Sequence, residues 1–192
     1  MTNFKKAALT ALAAIATTAG GAQAGYMVDG YRVMEASDFT GPQARIVRAL
    51  DALNVPVIDG GATNMDACAP LENGAYRLGF YVPSHNVMVL CTNNGDAAQM
   101  DQTLTHEAVH VIQDIRGGLH NDEIVTNDHE IEYFATHLPQ DQVNIIVSLY
   151  DESQWDAEIE ARALQDNPLM VADKLEDEAE MEGFRNGHVF RF

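Results

Sequence analysis

The segment that most restricts what this chain can fold into lies between Asp96 and Gly117-Gly118. Leu104, Ala108, Val111, Ile112 and Ile115 recur there at three- and four-residue intervals, the period of a helix with one apolar stripe. Asp96 stands where an N-cap belongs, and the paired glycines supply the left-handed residue that commonly ends a helix. A helix running to about Arg116 with that stripe has to lie against a core. The stretches before it have strand composition: Val55–Ile58, stopped by Asp59-Gly60-Gly61, then Ala75–Val82 and Asn86–Cys91 around a Pro83-Ser84-His85 turn. Thr40-Gly41-Pro42 opens an earlier helix that carries Ile46, Val47, Leu50 and Leu53 and ends near Asn54. Residues 25–36 carry no clear signal and read as a leader.

Beyond Gly118 the chain reads as helical. Asn127–Thr136 is stopped by Leu138-Pro139, Asp141 caps a helix through Val143, Ile146, Val147 and Tyr150, Ser153–Asp166 forms another, and Asn167-Pro168 opens the last. Strands first and helices later predict an α+β domain: a small N-terminal β-hairpin or sheet with a helix, then the central helix and a helical C-terminal half. The 192 residues contain no internal repeat and no separating linker after residue 25, so residues 25–192 are expected to form a single domain.

Residues 1–24 read as a signal peptide. Lys5 and Lys6 precede the small apolar run Ala7–Ala19, and Ala22-Gln23-Ala24 has the small-x-small pattern of a cleavage site. The run is too short to anchor in a bilayer, and residue 25 is glycine rather than the cysteine of a lipoprotein. The expected product is secreted or periplasmic, with no membrane anchor. In an oxidising compartment Cys68 and Cys91, the only two cysteines, are expected to join in a disulfide. With 29 acids against 11 Lys and Arg, the net charge of −18 argues against nucleic acid as a partner. The acid concentrates from Asn121 onward, along the C-terminal helices.

His106-Glu107-Ala108-Val109-His110 is an HExxH sequence within the central helix. Residues i and i+4 project from one face of a helix, so both imidazoles can reach one metal ion, with Glu107 on the flank where it can hold a water. For this composition the chance of one such pentad arising anywhere is roughly 0.02. The apolar stripe leaves His106 and His110 off the main core face.

These residues, together with a strand pair placed before the helix, resemble the zincin metallopeptidases. The resemblance implies a zincin-like fold, His106 and His110 as zinc ligands, and Glu107 as general base and proton shuttle. Gln113 and Arg116 stand where the metzincin branch requires Gly and His, which excludes that branch. The gluzincin branch is similar in what remains, and implies a third ligand, a Glu on a later helix often followed by Ala three residues on. Glu158, with Ala161, and Glu160, with Ala163, both fit. Glu158 is preferred because Trp155 and Ile159 share its side of the helix and would desolvate it, whereas Glu160 sits at the margin of an apolar stripe. Glu130 and Glu132 are alternatives on an earlier helix. Arg162 stands where several related families have Asp.

Other groups carry weaker signals. His85, His120, His129, His137 and His188 read as surface or structural histidines, and Tyr133 and Tyr150 as packing residues able in principle to polarise a carbonyl. Gln113 or Asp114 could hold a ligand from behind. The expected function is an exported metallopeptidase with one Zn2+ per chain, cleaving peptide or protein substrates with a zinc-bound water activated by Glu107. The alternative is a catalytically silent secreted protein of zincin fold that binds a metal or a partner.

Overall fold

The computed structural model describes residues 27–28, 30–71, 74–119 and 123–185, with side chains described from residue 30 to residue 181. The expected signal peptide, His120 and His188 lie outside the described residues. Five strands, β1 (Met27–Val28), β2 (Tyr31–Met34), β3 (Val57–Asp59), β4 (Gly79–Val82) and β5 (Val87–Leu90), form one sheet in the order β1-β2-β3-β5-β4. Among the described residues six α-helices accompany it: α1 (Gly41–Ala52), α2 (Ala97–Gly117), α3 (Asp128–His137), α4 (Gln140–Leu149), α5 (Trp155–Leu164) and α6 (Pro168–Arg185). The class is α+β and mostly helical, as the order of strand and helix signals predicts.

The sheet is antiparallel except for the β3–β5 pair, whose connection passes through β4. Val57 pairs with Met88 and Asp59 with Leu90, both strands running the same way. Strand side chains alternate between faces. Val57, Met88 and Leu90 therefore face α1 and α2 in the main core, while Val33, Ile58, Val87 and Val89 face the other side, around the Cys68–Cys91 disulfide. That bridge is the one expected from the cysteine count. Its sulfurs are buried, so the staple also fills the smaller core.

The central helix α2 starts and stops where its caps dictate. Asp96 accepts a hydrogen bond from the Gln99 amide at 2.9 Å, and the Gln99 side chain accepts one from the Asp96 amide at 3.0 Å. At the other end Gly118 adopts φ +108°, and Leu119 N–H donates to Asp114 O at 2.8 Å, closing the last turn. Where α2 crosses the sheet, a Cβ on Gly79 would lie 2.6 Å from the Thr103 side chain, so the close approach depends on glycine. On its other sides α2 packs against α1, α5 and α6. Arg45 ties α1 to α6 through Asp173 at 2.7 Å and Glu176 at 2.6 Å.

Three local expectations are corrected. Residues 27–34 are not a leader but the β1–β2 hairpin, turned at Gly30 with φ +86°; polar Arg32 hides the strand pattern by reaching Asp59 at 2.9 Å. The strand expected from Ala75 begins only at Gly79, because the Asn94 amide donates to Arg77 O at 2.9 Å and Cys68 O at 2.7 Å and holds this stretch off the sheet. Helix α4 begins at Gln140 directly after Pro139, whose ring presets a helical entry, so Asp141 lies in its first turn rather than at its cap. As the stripe predicts, His106 and His110 lie off the main core; α5 packs over this side of α2 and buries His106, Glu107 and Gln113, while Asp114 accepts from Tyr81 of β4 at 2.6 Å.

Candidate metal centre

Helical geometry puts His106 and His110 on one face of α2, and α5 crosses that face with Glu158. The three side chains converge: one ligand atom from each lies within 4.8 Å of the others. His106 Nε2 is 3.5 Å from Glu158 Oε2, and His110 Nε2 is 3.5 Å from Glu158 Oε1. Ligands spaced at about 3.4 Å are what a tetrahedral ion with bonds of about 2.0–2.1 Å requires. Glu158 Oε2 is buried with no hydrogen-bond partner among the described residues. A buried carboxylate oxygen held just beyond hydrogen-bonding distance of two imidazoles is what an ion between them would satisfy. The group could therefore hold a metal ion.

The electrostatics agree. Burial alone would push the Glu158 carboxyl up, but His106 and His110 hold it well below the usual carboxylate range. Burial would lower His110, yet Glu158, together with Glu107 and the Gln113 amide, pushes it up to about 9. Without an ion, then, a proton on His110 supplies the positive charge that Glu158 demands. Metal and proton compete for the same nitrogen.

Behind the ligands stands a second buried group. His110 Nδ1 is 2.8 Å from Gln113 Oε1, and the Gln113 amide nitrogen donates to Glu160 Oε2 at 3.0 Å and to Ala157 O at 3.1 Å. Glu160 is completely buried and pairs with Arg116 at 2.9 Å. Of the two candidates on α5, Glu158 reaches the histidines and Glu160 turns away from them. Glu160 is not at a core margin as expected but inside the core, where Arg116 neutralises it. Glu130 pairs with Lys174 at 3.2 Å and Glu132 is exposed, so neither approaches the site. His129 and His137 are exposed, and His85 pairs with Ser84 in its turn.

Two further residues take their place at the site from the fold. Tyr150 lies against the site: burial and the Glu158 charge push its phenol up to about 12, and its carbonyl accepts from Trp155 at 3.1 Å. Arg116, near the end of α2, is the partner of Glu160 across the helix pair, a role that no spacing in the sequence marks. One helical turn along α5 from Glu158, a cleft of about 290 Å3 opens between α3 and α5, lined by Tyr133, Phe134, His137, Pro139 and Arg162.

A family model described as "Domain of unknown function (DUF8637)" matches residues 58–177, more than half of the chain. The chain belongs to that family. The matched span runs from β3 into α6 and contains both cysteines, the HExxH segment, Gln113, Glu158 and Glu160. No curated protein and no solved structure matches.

Proposed function

We propose that this chain is an exported zinc-dependent peptidase of zincin type, related to the gluzincin branch. The observation that carries the reading is the convergence of His106, His110 and Glu158, from two packed helices, on one ion-sized gap beside Glu107. Two imidazoles and one carboxylate are a donor set suited to zinc and leave a position open, as catalytic zinc sites do. When bound there, zinc would supply a Lewis acid to polarise a peptide carbonyl and lower the pKa of water toward about 7.

The protein's own residues account for the rest. Glu107 is the group on the flank of the ligand face, positioned to take a proton from the attacking water and return it to the leaving amine. Its burial would keep bulk water from the proton transfer, and its charge, felt at His110 and Tyr150, supports that role. Tyr150 keeps its phenolic proton through the neutral range and so stays a hydrogen-bond donor at the rim. The disulfide fits an oxidising compartment, and no described helix is long and apolar enough to cross a membrane.

Metal analysis of the purified chain tests the reading. One zinc per chain is expected, with His106→Ala and His110→Ala each emptying the site. Full zinc occupancy in both variants would remove the basis for the assignment.

A further inference from the structure

We infer that Gln113 is a positioning residue for the metal centre: its amide, oriented by Glu160 and the Ala157 carbonyl, sets the ring orientation and proton placement of His110. This rests on the zinc-centre reading above and goes beyond it, because no ligand motif calls for glutamine at this position.

A carboxamide has two donor hydrogens and one acceptor oxygen. In Gln113 both hydrogens are committed, to Ala157 O at 3.1 Å and to Glu160 Oε2 at 3.0 Å, and each of those partners only accepts. Turned over, the amide would set its oxygen against a carbonyl and a carboxylate in a region closed to water. Oε1 must therefore be the atom 2.8 Å from His110 Nδ1. That oxygen cannot donate, so Nδ1 carries the hydrogen. Nε2 is then the nitrogen aimed at Glu158, 3.5 Å away, and the one left to bind a cation.

Glu160 is the anchor of this arrangement. Its second oxygen is taken by Arg116 at 2.9 Å, and Arg116 Nε lies 3.5 Å from Glu178 on α6. The fully buried carboxylate is thus neutralised while one oxygen stays directed at the amide. Glu158 and Glu160 lie on the same helix, so α5 delivers both the third ligand and the group that sets the second. His106 has no such support: its Nδ1 is buried without a hydrogen-bond partner among the described residues. The two motif histidines are therefore unequal, one set by a chain of polar contacts and the other by packing.

The test uses the full chain loaded with zinc. Gln113→Met keeps the length of the side chain and removes the amide; zinc affinity in a chelator competition should fall about 10- to 100-fold. Nitrogen-15 spectra of the imidazoles in zinc-loaded wild type should show His110 bound through Nε2, with a slowly exchanging Nδ1–H that Gln113→Met loses. Equal affinity and an unchanged Nδ1–H signal in Gln113→Met would overturn the inference and leave the metal centre standing. So would His110 bound through Nδ1 in wild type, a result that does not depend on the variant folding. A wild type that takes up no zinc would overturn this inference and the proposed centre together.

Discussion

Glu158 and Glu160 stand two residues apart on one helix and are both buried, yet replacing each by alanine should damage different properties. Glu160 has no exposure, pairs with Arg116 at 2.9 Å and accepts from Gln113 at 3.0 Å. Among the described residues, its removal leaves the mostly buried Arg116 with the 3.5 Å contact to Glu178 alone and strands a Gln113 N–H. Breaking a buried pair by removing one partner costs about 3–5 kcal/mol. At a urea slope of about 2 kcal/mol per molar, the unfolding midpoint falls by about 2 M. Glu158 lies 3.5 Å from each of two imidazoles, and its Oε2 has no hydrogen-bond partner among the described residues, so its removal relieves a desolvation cost that offsets part of the lost attraction to His110. Metal-free Glu158→Ala should therefore lose less urea stability than Glu160→Ala, and the gap should widen above pH 9, where His110 no longer carries the charge that Glu158 pairs with. Zinc affinity reverses the ranking. A zinc site worth about 10–16 kcal/mol shared among its ligands loses roughly 3 kcal/mol per donor, about a hundredfold, in Glu158→Ala. Glu160→Ala acts only through Gln113 and should cost about tenfold. Urea titration in excess chelator with the disulfide intact reads the first property, and chelator competition the second. If the two variants fall equally in urea stability, or if Glu160→Ala loses more zinc affinity than Glu158→Ala, the division of labour on α5 is wrong.

The metal-free protein should lose stability at alkaline pH. His110 titrates at about 9 when folded against 6.5 when unfolded, so its contribution is complete below pH 6.5 and is lost as pH rises through 9. Glu158 is depressed below its usual 4.5, so its contribution is present above that value and is lost only in acid. Thermal melts in chelator should therefore fall between pH 6.5 and 9.5, and saturating zinc should flatten that fall; a rise over the same range would contradict the pairing. Reduction of the Cys68–Cys91 bridge should add two hydrogens to the intact mass. Cys68→Ala/Cys91→Ala should lose about 3 kcal/mol, about 6–12 °C in melting temperature, and an unchanged melt would show that the staple adds nothing.

How much of this was legible depended on whether a residue's neighbours lie along the chain or across it. The caps and stripe of α2, the β4–β5 pair, the disulfide and the convergence of an i, i+4 histidine pair all follow from local spacing. Glu158 over Glu160 was readable because Trp155 and Ile159 mark its side of α5. The burial of Glu160 was not, since its neutralising cation is Arg116, 44 positions earlier. Gln113 was visible as a candidate from its place one turn after His110, but its amide orientation is dictated by acceptors on α5. The β1–β2 hairpin was missed because two- and four-residue strands leave too short a pattern, and the polar Arg32 in β2 belongs to a cross-strand pair with Asp59.

The most direct measurement of the central claim is turnover of an unstructured protein substrate by zinc-loaded wild type and zinc-loaded Glu107→Gln at matched metal occupancy. The amide keeps the shape of the side chain and cannot accept the proton of the attacking water. The account predicts that the variant retains its fold and one zinc per chain while hydrolysis falls by about three orders of magnitude or more. Equal turnover in the two proteins would contradict it.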